Sequence, residues 1–115
     1  MAKYGADLDL IFAALSDPTR RATIARLVHG PASVSELAAP HDMALPSFLG
    51  HLGKLEKAGL IQSTKNGRVR SYQLTKEALL PAQNWLAEQN RLWQTRLDQL
   101  DEYVMNLIKE KDHES

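Results

Sequence analysis

The apolar positions of the chain recur at helical spacing near both of its ends. In the first segment they follow the i, i+3, i+4, i+7 rule, which predicts an amphipathic helix over about 8–16. Its apolar residues are Leu8, Ile11, Phe12 and Leu15. In the last segment they alternate in steps of four and three, which predicts a long helix over about 76–110 with a coiled-coil-like seam. The seam residues are Trp93, Leu97, Leu100, Val104 and Leu107.

Start and stop signals divide the chain between these two helices. Asp17 followed by Pro18 predicts the cap and the first turn of a second helix, and a Gly-Pro pair ends that helix. Ser33 and Glu36 have the spacing of a capping box, in which each side chain accepts a hydrogen bond from the other residue's amide. A short third helix is therefore expected to follow and to end near Pro40.

The next stretch predicts a fourth helix and then a hairpin. The helix is expected over 45–58, with Gly59 as its C-cap. Its buried stripe is Phe48, Leu52 and Leu55, with Leu49 close beside them. Two strand-like runs, together about 61–74, flank an Asn66-Gly67 pair, and such a pair is a strong hairpin signal because both residues tolerate positive φ. The order of elements predicts a mainly helical fold with a small β-hairpin, which is a winged helix-turn-helix in which a short strand can precede the third helix.

Length and composition narrow the class of protein. The 115 residues fit a single domain over 1–115, and the absence of cysteine excludes disulfides, thiolate metal sites and thiol redox sensing. No long apolar run occurs at the start, so neither a signal peptide nor a membrane span is predicted and a cytoplasmic protein is expected. No catalytic triad, phosphate loop or carboxylate pair in a defined pocket is recognisable, so enzyme activity is not expected.

The net charge of zero hides a segregation of charge along the chain. Residues 1–43 carry 4 basic and 5 acidic side chains, residues 44–76 carry 6 and 1, and residues 77–115 carry 4 and 8. The basic middle predicts a surface for polyanions, whereas the acidic last third predicts a surface with another use. Solvation of ordinary helix and turn surfaces would explain the same charges equally well.

The fourth helix and the hairpin are the candidate DNA-binding elements. In a helix-turn-helix the second helix enters the major groove and places its N-terminal residues at the base edges. The expected solvent-facing residues of that helix are Ser47, Gly50, His51 and Lys54. The hairpin adds a cationic tip that can straddle a phosphate strand or enter the minor groove, made of Lys65, Asn66, Arg68 and Arg70. The alternatives are a pair of ordinary packed helices and an edge hairpin kept soluble by its charges.

These motifs together resemble the ArsR/SmtB family of winged-helix repressors over nearly the whole chain. The matching segments are Leu15-Ser16-Asp17-Pro18-Thr19-Arg20-Arg21, Val34-Ser35-Glu36-Leu37-Ala38, His51-Leu52, Leu55-Glu56, Ala58-Gly59-Leu60-Ile61 and Gly67-Arg68 to Tyr72-Leu74. The resemblance implies a homodimeric, sequence-specific repressor that binds double-stranded operator DNA. It also implies that 45–58 is the recognition helix, that 61–74 is the wing, and that the first and last helices form the dimer.

The apolar seam agrees with a dimer, because an exposed seam on a small domain needs a cover. A two-fold partner would present two recognition helices to a pseudo-palindromic operator. The expected interface combines the apolar residues of the first helix with the seam: Leu8, Ile11, Phe12, Leu15, Trp93, Leu97, Leu100, Val104 and Leu107. The alternative is that the seam packs on the chain's own first helix.

The chain departs from the family at two places. Where many members carry metal-binding cysteines it has Glu36-Leu37-Ala38-Ala39-Pro40, and it has no Asp-x-His pair in the last helix, so neither metal nor cofactor is expected. Where relatives carry a capping serine and a basic residue before His-Leu, it has Ala44 and Leu49-Gly50. Either Gly50 lets the backbone approach DNA closely, or the domain binds DNA weakly and acts as a winged-helix protein-interaction module. The sequence identifies no effector.

Overall fold

The computed structural model describes the backbone of residues 2–114 and the side chains of residues 8–112. It is mainly helical, with one three-stranded antiparallel sheet. The elements are α1 (Ala2–Leu15), α2 (Pro18–Leu27), β1 (Ala32–Ser33), α3 (Val34–Ala38), α4 (Leu45–Lys57), β2 (Ile61–Asn66), β3 (Val69–Leu74) and α5 (Leu80–Glu114). This order confirms the predicted winged helix-turn-helix, including the short strand before the third helix.

The predicted caps form at the starts of α2 and α3. Asp17 accepts a hydrogen bond from the backbone N–H of Arg20 at 3.1 Å, and Pro18 occupies the first turn of α2. Before α3, the Ser33 hydroxyl accepts from the Glu36 amide while the Glu36 carboxylate accepts from the Ser33 amide. Both pairs satisfy donors that a helix start leaves without intrahelical partners.

The two ends of α4 differ. Its N-cap, Ala44, supplies no side-chain hydrogen bond, as the sequence predicted. At the other end the C-cap is Ala58 rather than the expected Gly59, which is the next residue and has φ 76°. The Gly59 amide donates to the backbone carbonyl of Glu56 at 2.9 Å, and the Leu60 amide donates to the backbone carbonyl of Leu55 at 3.0 Å. This pair of bonds is a Schellman motif. Glycine suits this position because a side chain there would strain the left-handed backbone.

The sheet has the strand order β1-β3-β2. In the hairpin Ile61 pairs with Leu74 and the ladder continues to Asn66, which pairs with Val69. The turn therefore consists of Gly67 and Arg68, and the prediction of an Asn66-Gly67 turn is wrong by one residue. Only Gly67 adopts positive φ here, at 67°, so a single glycine at the first central position meets the need of the turn.

The core lies among α1 to α4, the first turn of α5 and the inner face of the sheet. Its buried residues are Ile11, Ala14, Ile24, Leu27, Ala32, Leu37, Phe48, Leu52, Leu55, Leu60, Ile61, Tyr72 and Ala82. The predicted stripe of α4 is confirmed, but Leu49 is 43% exposed and does not belong to it. Ile11 is only 3% exposed within this core, so the prediction of Ile11 as a dimer contact is wrong. Leu8, Phe12 and Leu15 are half-buried against the same core.

The described chain divides into two compact units, one up to Ala82 and one from Gln83 onward. The second unit consists of the greater part of α5 and has no buried residue among its described side chains. Ten of its large apolar side chains are 44–61% exposed: Trp85, Leu86, Leu92, Trp93, Leu100, Tyr103, Val104, Met105, Leu107 and Ile108. Within the described residues, no helix combines the length and the apolar character that crossing a bilayer would require.

Candidate nucleic-acid interface

The outer face of α4 is set by the residues that the helix buries. Because Phe48, Leu52 and Leu55 face the core, the opposite side of the helix is left open. Ser47, Gly50 and Lys54 are exposed there, at positions i, i+3 and i+7, so they share one face as predicted. This face extends from the first turn of the helix to its third and offers a hydroxyl, bare backbone and one ammonium group.

Two glycines in the interior of α4 have no neighbours that require them. A Cβ atom built at Gly50 or Gly53 meets nothing within 4 Å, and neither residue has positive φ. Glycine in a helix interior is less favourable than alanine by roughly 1 kcal/mol. The free protein thus carries this penalty twice in its fourth helix without a packing reason within the chain.

His51 does not face solvent as the sequence predicted. Its side chain is 22% exposed, and its Nδ1 lies 2.9 Å from Nη1 of Arg20. A guanidinium group only donates, so Nδ1 must accept and the imidazole carries its proton on Nε2. Asp17 lies 3.8 Å from the same Nδ1, which would be an ion pair only if the ring were charged. His51 therefore connects α4 to the start of α2, because α4 turns this flank toward its neighbours in the core.

Arg20 is the residue that sequence reasoning missed. It is 7% exposed, its Nε donates to the Ala14 carbonyl at 2.7 Å, and its Nη2 donates to the Ala13 carbonyl at 3.2 Å. These carbonyls belong to the last turn of α1, where a helix leaves acceptors without intrahelical partners. Together with the bond to His51, one guanidinium links α1, α2 and α4. The available signal was its spacing, because Arg20 lies i, i+4, i+7 with the buried Ile24 and Leu27.

The wing places its basic side chains beyond the core. Lys65 pairs with Arg70 across the two strands, and strand alternation puts both on the face that holds Ile61 and Tyr72 farther along the sheet. Arg70 donates to the Ser63 hydroxyl at 2.9 Å. Arg68 lies in the turn, and Asn66 ends β2 on the other face. All four predicted wing residues are exposed.

The β3 side of the wing tip borders the start of α3. Arg68, Val69 and Arg70 line one side of a shallow cleft, and residues 33–35 line the other side. The wing arginines therefore stand next to the first helix of the helix-turn-helix. A single body up to Ala82 carries both candidate DNA-binding elements.

Glu56, the single acid of the basic segment, lies close enough to Tyr72 for its charge to act on the phenol. Burial raises the pKa of Tyr72, and the negative charge of the nearby Glu56 raises it further. At Asp17 burial acts to raise the pKa, but hydrogen bonds from the backbone amides of Arg20 and Thr19, together with the positive charge of Arg20, outweigh it, so the pKa lies below its ordinary value.

Metal binding was tested on the side chains that the structure describes. No three of their histidines and carboxylates gather closely enough to hold a metal ion. In the family resemblance, the cysteines of metal-sensing members correspond to Ala38 and Pro40, whose side chains have no ligand atom.

The sequence of the chain is similar to a known family model and to known transcriptional regulators. A family model described as a helix-turn-helix domain matches residues 15–64, from the end of α1 into β2. The chain is 32% identical over 76 residues to the transcriptional repressor SdpR of Bacillus subtilis (strain 168), covering 66% of this chain and 84% of that protein. It is 42% identical over 66 residues to the HTH-type transcriptional regulator Rv2034 of Mycobacterium tuberculosis (strain ATCC 25618 / H37Rv), covering 57% of this chain. The match spans 62% of the length of Rv2034.

A solved structure extends the likeness to three dimensions. The crystal structure of the ArsR family transcriptional regulator RHA00566 matches with a TM-score of 0.73 and 55% identity, covering 76% of this chain and 97% of that one. The fold and the relatives are those of DNA-binding transcriptional regulators, which are not enzymes. The resemblance inferred from the sequence is confirmed, and the chain belongs to the ArsR family of winged helix-turn-helix transcriptional regulators.

Proposed function

We propose that the protein is a homodimeric repressor that binds a specific, pseudo-palindromic site in double-stranded DNA. The observation that carries this proposal is the presence, in one compact unit, of an open face on α4 and a cationic wing. The likeness to SdpR, which is named a repressor, favours repression over activation. A regulator of this kind works where its DNA is, so we also propose a cytoplasmic location.

In this proposal α4 enters the major groove with its first turns at the base edges. Ser47 reads a base, since a hydroxyl can donate to or accept from either edge. Gly50 and Gly53 let the helix backbone approach the DNA more closely than any side chain would permit. Lys54 binds a phosphate, and so do Lys65, Arg68 and Arg70 of the wing, with Asn66 at their side. His51 acts indirectly, because its bond to Arg20 holds α4 in place.

The dimer in this proposal is built largely on α5. Its seam advances in steps of four and three, and the members of the seam after Leu97 are each at least 44% exposed. Soluble proteins rarely leave so much contiguous apolar surface uncovered, and a second copy is the simplest cover. A two-fold axis through this interface presents two α4 helices to one face of the duplex, about one helical turn apart. Leu8, Phe12 and Leu15 of α1 complete the interface, and the two units form one functional domain.

Selection of bound duplexes from a random DNA pool tests the DNA-binding half of the proposal. We expect an enriched motif with two-fold symmetry, whose affinity falls steeply as the salt concentration rises. The Ser47→Ala variant should enrich a motif relaxed at one position of each half-site. An unenriched pool at low salt would contradict the proposal.

Sedimentation of seam variants tests the dimer. Leu100→Asp puts a charge into the seam, whereas Gln99→Asp puts the same charge on an exposed neighbour outside it. We expect Leu100→Asp to sediment as a monomer and Gln99→Asp to remain a dimer. If both variants kept the mass of the wild type, the seam would not be the interface.

The two glycines of α4, Gly50 and Gly53, also favour a second function. A winged-helix module that docks another protein through α5 and binds DNA weakly would also tolerate Gly50 and Gly53. This alternative predicts that the DNA selection yields either a motif without two-fold symmetry or no enriched motif at all. It also predicts a monomer in solution. The two experiments above separate it from the repressor.

A further inference from the structure

A cleft opens between α1 and the recognition helix, away from the groove-reading turns of α4. It has a volume of about 230 Å³, and its lining combines apolar side chains of α1 with three basic side chains. The lining residues are Leu10, Ala13, Ala14, Arg20, Lys54 and Lys57. No acidic side chain is among them. The cleft is therefore apolar on one wall and cationic on the other.

The charge of Arg20 in this cleft is buried without a direct counter-ion. Its three described hydrogen bonds go to two carbonyls and one imidazole and use three of its five N–H groups. Within the side chains the structure describes, no carboxylate lies within ion-pair distance of the guanidinium. Asp17 is near enough for the charge of Arg20 to help lower its pKa, but its carboxylate accepts from the Arg20 amide instead. A buried cation of this kind is stabilised by an anion that reaches it.

The two lysines add to the same field. Lys54 and Lys57 are exposed in the last turn of α4, where cations compensate the helix dipole. The dipole accounts for lysines at that end of the helix. It does not account for a buried arginine beside them or for the exposed apolar surface of Leu10, which is 40% accessible.

We propose that this cleft binds a small monocarboxylate with an apolar tail. The carboxylate meets Lys54, Lys57 and the free N–H groups of Arg20, while the tail covers Leu10 and Ala13. The volume is below the roughly 300–1,000 Å³ of pockets that hold drug-sized molecules, so the ligand is small. Apolar walls with a few convergent polar groups are the usual composition of such sites.

This site is linked to DNA through Lys54, and that link rests on the proposed function. Lys54 lines the cleft and also lies on the open face of α4 with Ser47 and Gly50. A carboxylate bound to its ammonium group neutralises the charge that a DNA phosphate would use. The ligand therefore acts as an inducer that lowers the affinity of the protein for DNA. By linkage, bound DNA lowers the affinity of the protein for the ligand by the same factor.

Calorimetric titration with octanoate tests binding without any DNA. Octan-1-ol keeps the tail but loses the charge, and we expect it to bind at least about tenfold more weakly, since hydrogen bonds to a charged group contribute about 1.5–3 kcal/mol. Acetate keeps the charge but loses the tail, and we expect it to be weaker by roughly a hundredfold or more, given about 0.8 kcal/mol for each buried methylene. Equal binding of octanoate and octanol, or no binding of octanoate, would overturn the proposal.

Two variants locate the site. Ala13→Leu fills the apolar wall from an exposed helical position that tolerates leucine, and Lys57→Gln removes one cation. We expect Ala13→Leu to abolish octanoate binding and Lys57→Gln to weaken it about fivefold, the effect of an exposed ion pair. Lys76→Gln, an equal loss of charge outside the cleft, should bind like the wild type. Unchanged octanoate binding by Ala13→Leu would place the ligand elsewhere, and dissociation of a wild-type dimer by this change would make the cleft a contact between copies; either outcome refutes the proposal.

The effect of the bound ligand on DNA affinity is measured in a separate experiment. With an enriched duplex, saturating octanoate should lower the affinity of the wild type by about fivefold or more but leave that of Ala13→Leu unchanged. A protein that binds octanoate in its cleft but binds no duplex would refute the repressor and keep the site. A protein whose DNA affinity ignores bound octanoate would refute the link alone.

Discussion

The recognition helix and the wing are neighbours in the chain, but they place their side chains in opposite ways. α4 buries Phe48 and Leu55 completely and leaves glycines on its outer face. In the wing Ile61 and Tyr72 are buried, and the exposed residues beyond them include Lys65, Arg68 and Arg70. The helix therefore holds the fold together, whereas the wing carries the larger share of the exposed positive charge. Stability and DNA affinity should therefore respond to different substitutions.

The largest effect is expected from the inner side of the helix. Phe48→Ala removes a fully buried aromatic ring and should lower the free energy of unfolding by about 3–5 kcal/mol. Leu49→Ala changes the next residue, which is exposed, and should cost far less. Urea denaturation followed by circular dichroism measures both. Similar losses for the two variants would show that burial does not separate these positions.

The next effect belongs to the wing and should appear in binding alone. The double change of Arg68 and Arg70 to Ala removes two exposed cations, so DNA affinity should fall roughly tenfold to a hundredfold, with a salt slope shallower by about two. All sequences should lose affinity alike, because phosphate contacts carry no sequence information. Fluorescence anisotropy at several salt concentrations measures the slope, and the melting temperature serves as the control. Binding with an unchanged slope would remove the wing from the interface.

A smaller effect tests the bare face of the helix by moving stability and affinity in opposite directions. Gly50→Ala meets open space and should stabilise the protein by roughly 1 kcal/mol. The same methyl group should weaken DNA binding if the helix backbone approaches the DNA closely. Gly59→Ala is the matched contrast, because φ of 76° makes that change destabilising. Wild-type affinity in a stabilised Gly50→Ala protein would contradict close approach.

The smallest effect concerns the carboxylate that caps α2. Because the folded-state pKa of Asp17 lies below its ordinary value of 3.8, the ionised group stabilises the fold at neutral pH. This contribution is lost as the pH falls below that value. Asp17→Ala should thus be less stable than the wild type at neutral pH, and the difference should narrow on acidification. Asp17→Asn keeps a capping side chain that does not titrate. On acidification it should therefore lose less stability than the wild type does. Thermal unfolding at several pH values measures this, and a difference independent of pH would contradict it.

Much of the fold was predictable because it rests on local rules. The caps at Asp17 and Ser33 depend on residues within one turn, and the stripe of Phe48, Leu52 and Leu55 depends on helical period alone. These features need no knowledge of distant contacts. The turn was placed one residue early, because Asn-Gly favours a two-residue loop but the strand register decides which residues occupy it.

The errors in the candidate site arise from contacts between distant segments. The sequence assigned His51 to the open face by counting along one helix, but Arg20 bonds to it from 31 positions away. Ile11 has the spacing of an interface residue and the burial of a core residue, and period alone cannot distinguish these. Lys54 and Arg70 were placed on the exposed surface correctly, since charged side chains are seldom buried without partners.

The pairing of Lys65 with Arg70 means that salt acts on the wing in two opposite senses. Like charges directly across two strands repel each other, and dissolved ions screen that repulsion in the free protein. Added salt therefore steadies the free hairpin while it weakens the attraction of the hairpin for a phosphate strand. In the proposed complex a duplex supplies the counter-charge that the two strands lack in each other, so we expect the wing to be most ordered when it is bound to DNA.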